Sequence, residues 1–137
     1  MEMKDFIKGA KENFTTALGV CQIVILGGLQ PSVSEILQVY AILRNWIEEF
    51  RKAILFCSDP DLLTAKLKFR QHMLLCEQDY INKVLKPKHS EILSELRLMR
   101  VENMTDEEKE AVREFVKAEE EHDFLTVSNW REFMPKV

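Results

Sequence analysis

His72 and Cys76 stand four residues apart, the spacing that sets an imidazole and a thiol on one helix face. That pairing yields a nucleophilic thiolate, or half of a metal site. A catalytic cysteine ordinarily occupies a helix N-terminus or a cleft, however, and Cys76 falls mid-helix between Met73 and Tyr80. The setting favours a core thiol beside a half-exposed histidine. A second candidate is the step from Glu119 to His122, a Glu-x-x-His spacing that supplies two ligands from one face in di-iron bundles. Such centres need a second copy of the step and two further inward carboxylates, and the chain has no second copy. Pooling His72, Cys76, Glu119 and His122 would give four ligands from two helices, but no spacing brings them together. A solvated acidic helix end is expected instead, with no catalytic residue, no cofactor and no metal centre.

Binding chemistry has two further candidates. Lys66, Lys68, Arg70, Lys83, Lys86 and Lys88, with Arg97 and Arg100, give residues 66–100 a net charge of +4. Phosphate binding needs such charge on one face. Lys66 and Arg70 are i, i+4 neighbours while Lys68 points elsewhere, so only part of the run forms a stripe, and a solvated outer face is the simpler reading. The tail carries Phe124, Leu125, Trp130, Phe133 and Met134, large apolar groups that must fold back on the domain or dock on a partner. Folding back is favoured, because a buried Trp commonly closes a small core.

The elements that position these residues read as helices. Residues 3–26 form the first, with Phe6, Ile7, Phe14, Ala17, Leu18 and Cys21 near helical spacing, ended by Gly27-Gly28. Ser32-Val33-Ser34-Glu35 is a capping box. Behind it Val33, Ile36, Tyr40, Leu43, Ile47, Phe50, Ile54 and Cys57 alternate spacings of three and four, which predicts a central helix dry along its whole length. Ser58-Asp59-Pro60 turns the chain into a third helix, reaching to residue 85 and antiparallel to the second. Lys86-Pro87 breaks it, and a fourth helix follows over 88–101. Thr105-Asp106-Glu107-Glu108 is a second capping box, opening a fifth helix to residue 122. Ser128 is placed to cap a short tail helix over about 128–134.

Composition agrees with a single domain over 1–137. The 137 residues are 46% hydrophobic and 31% charged, with only 4 Gly and 4 Pro, which suits helices better than a turn-rich sheet. The three cysteines, Cys21, Cys57 and Cys76, are an odd set without a C-x-x-C pair, pointing to free thiols in a reducing, cytoplasmic setting. Lys4, Lys8 and Lys11 precede an apolar run over 17–29, but Gln22 interrupts it and no small-residue cleavage site follows. A leader is therefore not expected, and neither is a membrane span, which takes about 20 apolar residues.

Charge is unevenly spread. Residues 102–123 hold ten acidic groups against Lys109, Arg113 and Lys117, net −7, whereas residues 1–101 sum to +2. A globally acidic chain lacks the basic character of most nucleic-acid-binding domains. No Gly-rich phosphate loop, G-x-S-x-G elbow, H-E-x-x-H step or EF-hand loop occurs. The expectation is an all-α antiparallel bundle of four to six helices acting without catalysis, as an adaptor, regulator or assembly component of the kind found among viral accessory proteins and cellular adaptors. Its partner would be a protein, basic in character, or a second copy meeting surplus apolar surface on the first three helices. Glu114, Glu119, Glu120, Phe124, Trp130, Phe133 and Met134 are the expected contact residues. The alternative is a nucleic-acid-associated regulator using Lys66, Arg70, Lys83, Lys86 and Lys88.

Overall fold

Three helix starts follow directly from side chains that satisfy otherwise orphaned N–H groups. In the computed structural model, which describes residues 2–122 and 128–137, α3 (Val33–Leu55) opens on the expected box. The Glu35 amide donates to Ser32 Oγ at 3.2 Å, and the Ser32 amide donates to Glu35 Oε1 at 2.9 Å. Helix α4 (Pro60–Tyr80) starts on Asp59, whose carboxylate accepts from the amides of Asp61 and Leu62. Helix α6 (Asp106–His122) opens on the second box, with Thr105 and Glu108 bonded reciprocally at 3.1 and 3.0 Å. Each such cap stabilises its helix by about 1 kcal/mol.

Four boundaries differ from the sequence reading, each for a local reason. The expected first helix is two, α1 (Met3–Glu12) and α2 (Phe14–Ile25). Asn13 leaves the helical region (φ −147°, ψ 127°) and its side chain accepts from the amides of Thr15 and Thr16, so it ends one helix and caps the next. Helix α4 continues into a widened π turn, Ile81–Leu85, in which the Lys86 amide donates to the Ile81 carbonyl at 2.8 Å. Helix α5 (His89–Leu98) stops short of residue 101, because Met99 becomes extended and its carbonyl accepts from Lys136 in the returning tail. The tail helix shrinks to one 3₁₀ turn, Trp130–Phe133, without a side-chain cap from Ser128.

The fold is all-α, and α3 touches every other α-helix. Tyr80 donates from its hydroxyl to the Ile36 carbonyl at 2.7 Å, while Glu77 faces Tyr40 and Arg44, so α4 runs antiparallel to α3. Around α3 lie Met73, Tyr80, Leu85, Ile92, Leu93, Leu96 and Phe115, all buried. The central helix is not dry to its end. Burial stops at Ile47; Phe50 and Ile54 are half-buried, and Leu55 and Phe56 are 65% and 88% exposed. Beyond Ile47 the α3–α4 hairpin is supported mainly by Phe14 of α2, which meets Trp46, Phe50 and Phe69 edge-on at 5.0–6.2 Å between ring centres. Among the described residues no helix is long and apolar enough to cross a membrane.

Candidate interaction groove along helix α6

Helix α6 divides its residues by turn. Ala111, Phe115 and Ala118 recur at i, i+4 and i+7 and are buried against α3. Val112 and Val116 stand about 100° further round the helix and remain half-buried. Lys109, Arg113 and Lys117 follow at the next position of the turn, a stripe of three cations with a period of four.

The tail supplies the opposite wall. The Val101 amide donates to the Lys136 carbonyl at 2.9 Å, and the Lys136 amide to the Met99 carbonyl at 3.3 Å. Trp130 is buried, with the Arg131 guanidinium 4.4 Å above its ring, and Phe133 lies under the Arg97 guanidinium at 5.6 Å. These contacts hold Met134 and Pro135 beside Val101 and Met104. Between that wall and Val112 and Val116 runs a groove of about 490 Å³, with Lys109, Arg113 and Lys117 along its edge. Its size falls in the ordinary range of ligand clefts, about 300–1,000 Å³.

A second groove, of about 470 Å³, lies on the other flank of α6, floored by Ala41 and Ile42 of α3. Its walls carry both signs of charge, and Lys11 Nζ approaches Glu107 Oε1 to 3.9 Å. The two openings differ in degree: the first is almost wholly carbon-lined, its edge cations Arg113 and Lys117 paired along α6 with Glu110 and Glu114, while the second shares Arg113 and adds acidic side chains to an apolar floor.

The expected contact residues scatter. Met134 does line the carbon-rich groove. Trp130 does not face a partner; it closes the core beneath the tail, and Phe133 packs half-buried against α5. Glu119 is a clear correction: its side chain is wholly buried, with Oε1 2.6 Å from His89 Nε2, because it sits one position from Ala118 on the inward face. Glu114 is largely covered and ion-paired to Lys117 at 3.4 Å, and exposed Glu120 is paired to Arg131 at 3.3 Å. Phe124 lies outside the described residues. The expected acidic steering face is thus largely engaged within the molecule.

Nor do the basic residues of the alternative reading converge on one face. Lys66 and Arg70 are on adjacent turns of α4, but Lys83 comes 17 positions after Lys66, about 25 Å along the axis and about 100° round it. Lys86 and Lys88 follow the π turn, and the Lys88 backbone serves as the N-cap position of α5. Among the described residues no three His, Cys, Asp or Glu side chains gather as a metal cage. His72 and Cys76 border a groove between α2 and α4, whereas Glu119 belongs with His89 and His122 neighbours Glu121 at 3.9 Å.

Two buried polar sites carry no motif in the sequence. Tyr40 donates to Glu77 Oε2 at 2.8 Å, and Arg44 Nη1 reaches both Glu77 oxygens at 3.2 and 2.9 Å. Burial, reinforced by the Glu77 charge, pushes the Tyr40 phenol well above its ordinary range. Burial lowers the His89 imidazole from its ordinary value. The four-residue rhythm of Lys109, Arg113 and Lys117 was visible in the sequence but masked by the acids between them. No family model, curated protein or solved structure matches the chain.

Proposed function

We propose that this chain is an antiparallel bundle built around α3 that acts as a non-enzymatic protein-interaction module. It receives an amphipathic helix from a partner in the groove along α6. The observation that carries the reading is the conjunction of a carbon-lined floor with three cations of one sign at its edge. A helix with apolar residues at i, i+4 and i+7 matches the floor, and acidic residues flanking that seam match Lys109, Arg113 and Lys117. The partner helix is therefore acidic at its contact edge, the reverse of the basic partner suggested by the net charge of α6. A cytoplasmic adaptor, regulator or assembly component would use such a surface.

The test is fluorescence anisotropy with a labelled synthetic helix bearing leucines at i, i+4 and i+7 between glutamates. The expected result is binding of roughly micromolar strength that weakens with salt. Val116→Glu, and separately the pair Lys109→Glu and Lys117→Glu, should each weaken it by about tenfold or more. A peptide with lysines in place of the glutamates should bind about tenfold more weakly. Equal affinity for the two peptides, or no binding of the acidic one at low ionic strength, overturns the reading.

A further inference from the structure

Helices α1 and α6 both pack on α3, and between them a slot runs over Ser34, Gln38, Ala41, Ile42 and Asn45 of α3. It has two openings, the groove of about 470 Å³ floored by Ala41 and Ile42 and a neighbouring one of about 450 Å³, and Lys11 and Glu107 border both. The walls carry opposite charge. Lys4, Lys8 and Lys11 recur at i, i+4 and i+7 and line the α1 side, net +3. On the α6 side stand Asp106, Glu107 and Glu110 against the single cation Arg113, net −2. Glu35 and Glu108 also reach the slot, but their carboxylates are committed to the amides of Ser32 and Thr105. Among the described residues the two walls meet across the slot once, where Lys11 approaches Glu107 at 3.9 Å. That pair, Lys4 with Glu2 at 3.5 Å, and Arg113 with Glu110 all join exposed side chains, so each is weak and open to exchange.

We propose that this slot is where two copies of the chain meet, the lysine wall of each against the acidic wall of the other. Symmetry singles out this occupant. When two such faces are turned toward each other about a two-fold axis along the slot, each α1 wall falls opposite an α6 wall, and both contacts are attractive. An axis across the slot would set lysine against lysine and acid against acid, which is repulsive. A foreign helix would need an acidic edge and a basic edge at the right separation, whereas the chain itself already presents both. Ala41, Ile42 and Trp46 give the larger opening an apolar floor, so closing it strips water from the ion pairs and strengthens them. The slot lies on the flank of α6 away from the groove that takes a partner helix, although Arg113 borders both. A dimer formed here leaves that groove open, and neither reading depends on the other.

Sedimentation equilibrium of the full chain measures the association. At low ionic strength a dimer with a dissociation constant of about 10–100 μM is expected, weakening about tenfold or more in about 0.5 M salt. Two charge reversals then decide which walls meet. Lys8→Glu with Lys11→Glu makes both walls acidic, and Glu107→Lys with Glu110→Lys makes both basic. Each variant alone should be monomeric at concentrations where the unmodified chain is dimeric. Mixed one to one, the two variants should associate again, because every wall then faces its opposite in the other chain. Circular dichroism checks that each variant keeps its helices. Where one does not, zero-length carbodiimide crosslinking of the unmodified chain decides. In a mixture of isotopically light and heavy chains, it should join Lys8 or Lys11 of one copy to Glu107 or Glu110 of the other. A chain that stays monomeric to about 1 mM at low ionic strength overturns the proposal. So does a dimer indifferent to both reversals, a mixture of folded variants that stays monomeric, or a dimer whose crosslinks between copies avoid these two walls.

Discussion

Two carboxylates one residue apart, Glu119 and Glu120, occupy opposite environments, and they show what a charge means once it is placed. Glu120 is exposed and its ion pair with Arg131 is worth little in water. Glu119 is buried at 2.6 Å from His89, so its loss breaks a buried polar contact. Urea denaturation should therefore find Glu119→Ala destabilised by about 2–4 kcal/mol and Glu120→Ala by less than about 0.5 kcal/mol. The tyrosines offer a second contrast, with pH as the variable. Both tyrosines of the chain, Tyr40 and Tyr80, have phenols raised by burial, Tyr40 further by the Glu77 charge. An unfolded chain ionises them near the ordinary value of about 10, so above that pH the unfolded state holds fewer protons than the folded one. Their contribution is complete below pH 10 or so and declines as pH rises. Ultraviolet titration should show almost no tyrosinate until helix is lost, and then both at once; a smooth ionisation near the ordinary value with circular dichroism unchanged would place the phenols in water.

At the scale of helices, side-chain caps account for the boundaries that sequence made legible. Ser32 with Glu35, Asp59 with Pro60, and Thr105 with Glu108 all announce themselves because the cap and its partner lie within four residues. Asn13 was equally local but hidden by an apolar rhythm that continues across it, Ile7 and Ala10 before and Ala17 after. What the sequence could not show depends on distant segments. The early end of α5 is set by Lys136, and the burial of Glu119 and Glu77 by residues 30 and 33–37 positions away. The groove had a legible half, the spacing on α6, and a hidden half, the wall made when the tail pairs with residues 99–101. Thermal melts can weigh the local devices. Asn13→Ala removes the acceptor for two amides and should cost about 1 kcal/mol. Gly27 sits at φ 77° past the end of α2, so Gly27→Ala should cost about 1 kcal/mol. Gly19, inside α2 with open space where a Cβ would stand, should instead gain about 0.4–1 kcal/mol as Ala. A gain at Gly27 would contradict the described end of α2.

Across the whole molecule, support for the central hairpin is graded along its length. Near Ile36, Tyr40 and Leu43, α3 is enclosed by α1, α2, α4, α5 and α6, and the Tyr40–Glu77–Arg44 network ties it to α4. Past Ile47 the enclosure thins to an edge-on aromatic cluster, and Leu55, Phe56 and Leu62 stand at least half exposed. Local opening follows the apolar contacts that must be broken, so the hairpin end should open without the rest. Hydrogen exchange at neutral pH should show amides of residues 36–47 protected to nearly the global stability, and those of residues 50–66 exchanging by local opening, faster by orders of magnitude. The same measurement tests the expectation that surplus apolar surface on the early helices brings two copies together. A dimer sealed through Leu55, Phe56 and Leu62 would slow exchange at the hairpin end as protein concentration rises, since association stabilises by mass action. Concentration-independent, fast exchange there assigns the exposed side chains to a single chain in water, and uniform protection from 36 to 66 would mean that the hairpin end is covered.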